Sequence, residues 1–287
     1  YVSGTYVTGN NGKVKVRLSE TVYDTNGGTG ALETGDFTLS ISGGSATLGS
    51  TNPTAITKDT PTFSAATIDN NLSGAQGLQL ADLDFDGDVD IIACGKSGND
   101  LNWYESDGSG SYTERSIDLN LSGAQGLAIN DIDGDGDIDI FATARDGNQV
   151  ALYTNNGSQS FTKTVIDSDL MQPHHVECTD LNDDGFMDLI ATGRSSDKII
   201  WYSNDGSQNF TENVLRDDLN GAITFFISDV DEDGDKDIIV AELDGGKVAY
   251  LSNDGSESFT NTTVASVNRV RAVSAADVDG DGDIDLA

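Results

Sequence analysis

Basic residues are scarce in this chain: 15 Lys and Arg stand against 49 Asp and Glu among 287 residues, a formal net charge of −34. A surface so negative repels phosphate backbones and anionic headgroups, which excludes nucleic acid and electrostatic membrane docking as partners. Long hydrophobic runs are missing too. Without about 18 consecutive apolar residues no segment is suited to cross a bilayer as a helix, so direct membrane insertion is not expected. Two cysteines, Cys94 and Cys178, are too few for a disulfide framework. Both sit among apolar neighbours, as buried thiols do, and a disulfide between them is the alternative. Only three prolines interrupt the chain, and only two histidines, His174 and His175, are available for acid-base work near neutral pH. Apolar residues still make up 36%, enough to build a core, so disorder is not expected. The chain starts at Tyr1 without an initiator Met or a signal-peptide pattern and stops at Ala287 inside an apolar run; both ends read as cut.

Repetition is what the sequence has in plenty. The segments DLDFDGDVD, DIDGDGDID, DLNDDGFMD, DVDEDGDKD and DVDGDGDID begin at residues 82, 131, 180, 229 and 277, steps of 49, 49, 49 and 48. The aromatic series Phe63, Tyr112, Phe161, Phe210 and Phe259 keeps the same step. So do the pairs Trp103-Tyr104, Leu152-Tyr153, Trp201-Tyr202 and Tyr250-Leu251. The period therefore belongs to a whole structural unit. Within one unit, short apolar runs bounded by Gly, Asn and Asp predict four strands, at 126–130, 138–143, 150–154 and 160–166. No segment sustains a helical period. Four antiparallel strands in about 49 residues make a blade that must stack on its neighbours to bury both faces, so the expected fold is an all-β propeller.

Residues 54–69 match the last two strands of a unit and 272–287 the first two. A closed ring of five blades whose ends share one blade, and a larger ring cut short at its C-terminus, both stay open. Residues 1–53 do not join the repeat. Their polar-apolar alternation at 13–18 and 36–41, with glycine turns between, predicts a small β-sandwich-like segment or extra strands on the propeller. The expected organisation is thus 1–53 and 54–287.

Each nine-residue segment reads D-x-[DN]-x-D-G-x-x-D. Positions 1, 3, 5 and 9 offer side-chain oxygens, glycine at 6 allows the sharp turn, and position 7 offers its main-chain carbonyl. Hard oxygen donors on a flexible loop select Ca²⁺ over Mg²⁺, which demands a tighter octahedron. No Cys/His cluster suggests zinc. About half of the 49 acidic residues lie in these five loops, so metal binding is expected to be coupled to folding.

The loops, with the aromatic strands and the NDGS turns that follow them, resemble the FG-GAP/VCBS calcium-binding repeats of integrin α-subunit heads and of secreted bacterial proteins, over residues 54–287. In that family the loop joins the first two strands of a blade, and seven blades usually close the ring. The resemblance implies side-chain ligands Asp82, Asp84, Asp86 and Asp90; Asp131, Asp133, Asp135 and Asp139; Asp180, Asn182, Asp184 and Asp188; Asp229, Asp231, Asp233 and Asp237; and Asp277, Asp279, Asp281 and Asp285. Carbonyl ligands follow at Asp88, Asp137, Phe186, Asp235 and Asp283. The third loop departs from the rest through Asn182 and Phe186. The stretches LSETVYDTNGG and ALETGDFTLSISGG in the first 53 residues resemble part of a bacterial Ig-like module.

With about five structural Ca²⁺ ions at one end, a ligand is expected at the other, where loops preceding each first strand meet loops between second and third strands. Lys96, Arg145 and Arg194 recur there at one level, and Gln76, Gln125, His174, Ile223 and Arg271 at another. These cations, with His174 and His175, are the candidate ligand-binding residues, and an anionic sugar or acidic peptide is the natural partner. Trp103 and Trp201 are expected in packing rather than in sugar stacking. No nucleophile motif accompanies the histidines, so a catalytic site is not expected. The reading is an extracellular, Ca²⁺-stabilised binding or adhesion module for a protein or glycan at the cell surface, within a larger or polymeric assembly. The alternatives are a structural spacer or filament subunit and a propeller-type polysaccharide lyase.

Overall fold

A computed structural model describes residues 66–279 and 284–286. The chain divides into two compact units, Tyr1–Ala66 and Thr67–Ala287. The Ig-like segment expected at 1–53 lies outside the described residues. Among the described residues of the second unit there are eighteen strands and no helix, hence none long and apolar enough to cross a membrane.

Four blades are complete. The first holds β1 (Ala75–Ala81), β2 (Asp90–Gly95), β3 (Asp100–Ser106) and β4 (Tyr112–Asp118); the second β5 (Ala124–Asn130), β6 (Asp139–Ala144), β7 (Gln149–Asn155) and β8 (Phe161–Asp167). The third holds β9 (Pro173–Thr179), β10 (Asp188–Gly193), β11 (Lys198–Asn204) and β12 (Phe210–Arg216); the fourth β13 (Ala222–Ser228), β14 (Asp237–Glu242), β15 (Lys247–Asn253) and β16 (Phe259–Ser266). A further pair, β17 (Ala275–Ala276) and β18 (Asp285–Leu286), begins a fifth. Every blade is an antiparallel meander in sequence order. The strands expected at 126–130, 138–143, 150–154 and 160–166 are β5 to β8, displaced by at most two residues at either end.

Stacking explains the composition of each strand. Second strands such as β6 and β10 are buried along their whole length, because one face meets the preceding blade and the other the next. Each seam has its own apolar cluster built from two blades: Ile92, Cys94 and Leu101 against Leu127, Ile140 and Ala142 at the first, and Ile190, Ile199 and Trp201 against Phe225, Ile238 and Val240 at the third. Fourth strands are exposed edges and carry Thr, Glu, Lys and Arg, which discourages edge-to-edge pairing. Trp103 and Trp201 are buried at the seams, so packing is their role. Cys94 and Cys178 are free thiols, the first buried and the second half-buried, and no disulfide joins them.

First strands lie side by side, β1 by β5, β5 by β9 and β9 by β13. Their spacing depends on one repeating position. A side chain at Gly77 or Gly126 would strike the main-chain carbonyl of Gln125 or His174 in the next blade. At the third seam His175 occupies this position, and its ring lies against Phe225 with centroids 4.6 Å apart.

A second tie crosses the seams through polar atoms. The hydroxyls of Tyr104, Tyr153 and Tyr202 donate to the carboxylates of Asp69, Asp118 and Asp167 at 2.8, 2.7 and 2.6 Å, each acceptor 35 residues earlier, just before the blade's first strand. The fourth blade lacks both partners: Leu251 stands where the tyrosine would be and Arg216 where the aspartate would be. Arg216 turns instead to Asp218, its Nε donating at 2.9 Å. Tyr202→Phe leaves the buried ring in place and removes only the hydroxyl. Urea unfolding in Ca²⁺ is expected to show a loss of about 1.5–3 kcal/mol, the range of a single hydrogen bond to a charged acceptor.

Candidate functional site

The acidic loops join first to second strands and are wound by their own backbone. Glycine at position 6 has φ of 97°, 95°, 91° and 101° at Gly87, Gly136, Gly185 and Gly234, a conformation that side chains other than glycine's rarely adopt. From there its N–H donates to the first aspartate of the loop, Asp82, Asp131, Asp180 or Asp229, at 2.9–3.0 Å. The N–H of position 7 donates to position 5, as Asp88 does to Asp86, Asp137 to Asp135, Phe186 to Asp184 and Asp235 to Asp233. These bonds gather carboxylates that would otherwise repel one another.

Position 9 has a different role. Asp90, Asp139, Asp188 and Asp237 are wholly buried. One oxygen of each accepts from the N–H of position 2 (Leu83, Ile132, Leu181 and Val230), and the other accepts from the N–H at the end of the third strand (Ser106, Asn155, Asn204 and Asn253). Asp285 repeats the first bond with Val278. Burial pushes the Asp139 carboxyl up to about 6, with the Asn155 and Ile132 N–H groups opposing and the charges of Asp133 and Asp135 adding.

Position 7 is turned elsewhere. A side chain at the turn glycines Gly108, Gly157, Gly206 and Gly255 would run into Asp88, Asp137, the Phe186 ring and Asp235 respectively. The position-7 side chain thus lies against the turn between third and fourth strands, with Phe186 there in the third loop and aspartate in the others.

Oxygens converge where a cation would sit. Asp82, Asp84 and Asp86; Asp131, Asp133 and Asp139; Asp229, Asp231 and Asp237; and Asp277, Asp279 and Asp285 each bring three carboxylate oxygens within 4.8 Å of one another. Asp82 Oδ1 is buried without a hydrogen-bond partner in the protein. An oxygen-only donor set of several charges fits a hard divalent cation. The third loop gives no such triplet among the described residues, and Asp281 and Asp283 lie outside them.

Several residues around the loops are not legible from the motif. Gln208 Nε2 of the third blade donates to Asp133 Oδ2 of the second at 2.9 Å, and Tyr250 OH donates to Asp237 Oδ2 at 2.9 Å. Lys236 Nζ, from the fourth loop, donates to the Asp180 carbonyl of the third at 2.6 Å. Only Lys236 carried a signal, since the corresponding position 8 holds Val89, Ile138, Met187 and Ile284 in the other loops.

At the opposite end Lys96, Arg145 and Arg194 occupy the loops between second and third strands, their N–H groups donating to the carbonyls of Gly74, Gly123 and Gln172 at 3.0–3.1 Å. Leu243 takes this place in the fourth blade. Burial, and then the charges of Arg145, Arg194 and Lys96, lower His174 to about 4, so the three cations and the half-buried imidazole share one neighbourhood. Arg194 is locked in a two-pronged bond to Asp244 at 3.1–3.2 Å, and Arg145 touches Asp146 at 3.3 Å and Gln172 at 3.4 Å. Arg271 is exposed after β16, its carbonyl accepting from Thr224 Oγ1. His175 is not on this rim. Its Nδ1 accepts from the Phe225 N–H at 3.2 Å, and its Nε2 lies 3.5 Å from Glu177, whose carboxyl burial raises to about 7.

The FG-GAP-like repeat family matches residues 82–142, 131–191, 180–240 and 229–287, and the chain belongs to that family. No curated protein matches it. Among solved structures it is similar to an Agrocybe aegerita lectin that recognises non-reducing terminal N-acetylglucosamine, at 20% identity and a TM-score of 0.52, over 75% of this chain and 60% of the lectin. It is also similar to a chain of a nidogen/laminin complex, at 13% identity and a TM-score of 0.50, over 70% of this chain and 68% of that one. A Staphylococcus aureus virginiamycin B lyase shares 16% identity, with a TM-score of 0.46, over 71% of this chain and 75% of the enzyme. Binding proteins and enzymes thus both occur among its neighbours. At these identities the likeness establishes the propeller fold.

Two measurements follow from this geometry. Asp139→Ala strands two buried N–H groups and is expected to cost about 3 kcal/mol or more in Ca²⁺ and in EDTA alike, whereas Asp137→Ala stays within about 0.5 kcal/mol; denaturant melts in both buffers check this. Glu177 is raised from 4.5 to about 7, so its contribution to stability is full below 4.5 and lost as pH rises through 7. Glu177→Gln is therefore expected to melt higher than the parent at about pH 8 and to match it at about pH 4.

Proposed function

We propose that this chain is an extracellular, Ca²⁺-stabilised binding module that takes an anionic ligand at the end of the propeller axis opposite its acidic loops. The observation that carries the reading is the recurrence of Lys96, Arg145 and Arg194 at equivalent places in the loops between second and third strands, in a protein of net charge −34. Cations so few, repeated at one level by three successive blades, make a local positive field that an anionic sugar or an acidic peptide matches. Membership of the FG-GAP-like repeat family and similarity to a lectin that recognises N-acetylglucosamine and to a chain of a nidogen/laminin complex support a binding role. The carboxylate triplets support calcium, whose charge offsets the repulsion within each loop. Asp82, Asp84 and Asp86, with their counterparts in the other loops, would hold it.

Removal of the metal tests the first half. A ligand bound only to the folded state adds about 2.7 kcal/mol per site at a hundred times its Kd, so the melting temperature should fall clearly in EDTA and return with added Ca²⁺. Equal melting in both buffers would refute calcium stabilisation. A glycan array probed with and without Ca²⁺, followed by Arg145→Ala and Arg194→Ala, tests the second half. Binding to acidic glycans that weakens with salt and with either substitution is expected; affinity indifferent to both places the ligand elsewhere.

A further inference from the structure

The metal loops are not equivalent. The third has the smallest acidic complement, Asp180, Asp183, Asp184 and Asp188, against five or six acidic residues in each of the others. Asn182 replaces the aspartate at position 3, and its Nδ2 donates to Asp184 Oδ2 at 3.1 Å, a bond that an aspartate in its place cannot make. Across the seam, Lys236 Nζ donates to the Asp180 carbonyl at 2.6 Å and to Asp183 Oδ1 at 3.3 Å. Position 8 is apolar in the other loops, and Ile138 there packs on the core of the first seam. Lys236 uses the same approach to deliver an ammonium group.

We infer that Lys236 is a tethered counter-ion for the third loop, which keeps its conformation without metal and binds Ca²⁺ more weakly than the loops at 82–90, 131–139 and 229–237. The inference rests on the calcium reading above. Its physical basis is charge: one fixed cation and one amide donor do in the third loop part of what a divalent ion does elsewhere, and a permanent cation beside the Asp180 carbonyl repels a second one. An exposed lysine pair contributes little by itself. The effect lies in where the charge is held, next to the carbonyl of the loop's first ligand position and bridging two blades.

The test is backbone hydrogen exchange on the full chain in Ca²⁺ and in EDTA. Protection in segments 82–90, 131–139 and 229–237 is expected to fall on the order of a hundredfold in EDTA, as for sites filled at a hundred times Kd, and that in 180–188 by less than about threefold. Lys236→Met, which installs the residue type of Met187, should make 180–188 respond like the others and raise the number of tight sites in a calorimetric Ca²⁺ titration by one. Lys236→Arg should retain the parent's pattern. A third loop that opens in the parent along with the others overturns the counter-ion while leaving calcium in place. So does Lys236→Met with 180–188 unchanged. No response to Ca²⁺ in any loop overturns both readings. Because the parent's own exchange decides the matter, a variant that fails to fold does not rescue the inference.

Discussion

A buried aspartate carboxylate holds each blade together. Asp90, Asp139, Asp188 and Asp237 stand at the first residue of a second strand, wholly out of water, with one oxygen on the start of the acidic loop and the other on the end of the third strand. Burying a carboxylate is costly unless its hydrogen bonds are made, and these two main-chain donors make them. At Asp139 burial still outweighs them and raises the carboxyl to about 6. A divalent cation at the loop would supply the rest. On the calcium reading, fold and metal would then make two demands on the same side chain.

Departures from the repeat come in compensated sets. The fourth blade loses the tyrosine of the seam tie and its aspartate together, as Leu251 and Arg216, so no buried carboxylate is left facing an apolar side chain. Where the close approach of first strands is relaxed, His175 fills the space and satisfies the Phe225 N–H. Since Nδ1 accepts that bond, the ring is the neutral tautomer with its proton on Nε2, in keeping with its fall to about 4 under burial. The third loop gives up a carboxylate at Asn182 and receives an ammonium from Lys236. In a stack where each blade touches only its neighbours, compensation has to be found across one seam, and in the last two cases it is.

The fold and the loops were legible because each rests on short-range pattern repeated at a fixed step: alternating strands, turn glycines, carboxylates at odd positions. The reading of the position-7 side chain as dispensable rests on Phe186 alone, since an aromatic ring offers calcium no oxygen. What single-loop pattern cannot carry is contact across seams. Gln208 reaches Asp133 over 75 residues of chain, and nothing in the local sequence of either marks the bond. The role of the ninth residue was half visible. Spacing marks its carboxylate as a candidate metal ligand, but its hold on the third strand 16 residues later appears only when the hairpin is closed. His175 was misleading for a related reason. Strand parity separates it from His174, yet only the stacking of blades puts one beside the cationic rim and the other inside a seam.

Antiparallel strands place the acidic loops and the loops of Lys96, Arg145 and Arg194 at opposite ends of the blades, so each repeat adds negative charge to one end and, in three blades, a basic side chain to the other. The polarity accumulates because the stack keeps all blades in the same orientation. On the function proposed above, metal bound at the acidic end would reduce the net charge without touching the rim, so an anion approaching the rim would meet less repulsion from the rest of the molecule. The two ends would then be coupled through the field of the whole protein, without any change of shape, and the coupling should fade as salt shortens the distance over which charges act.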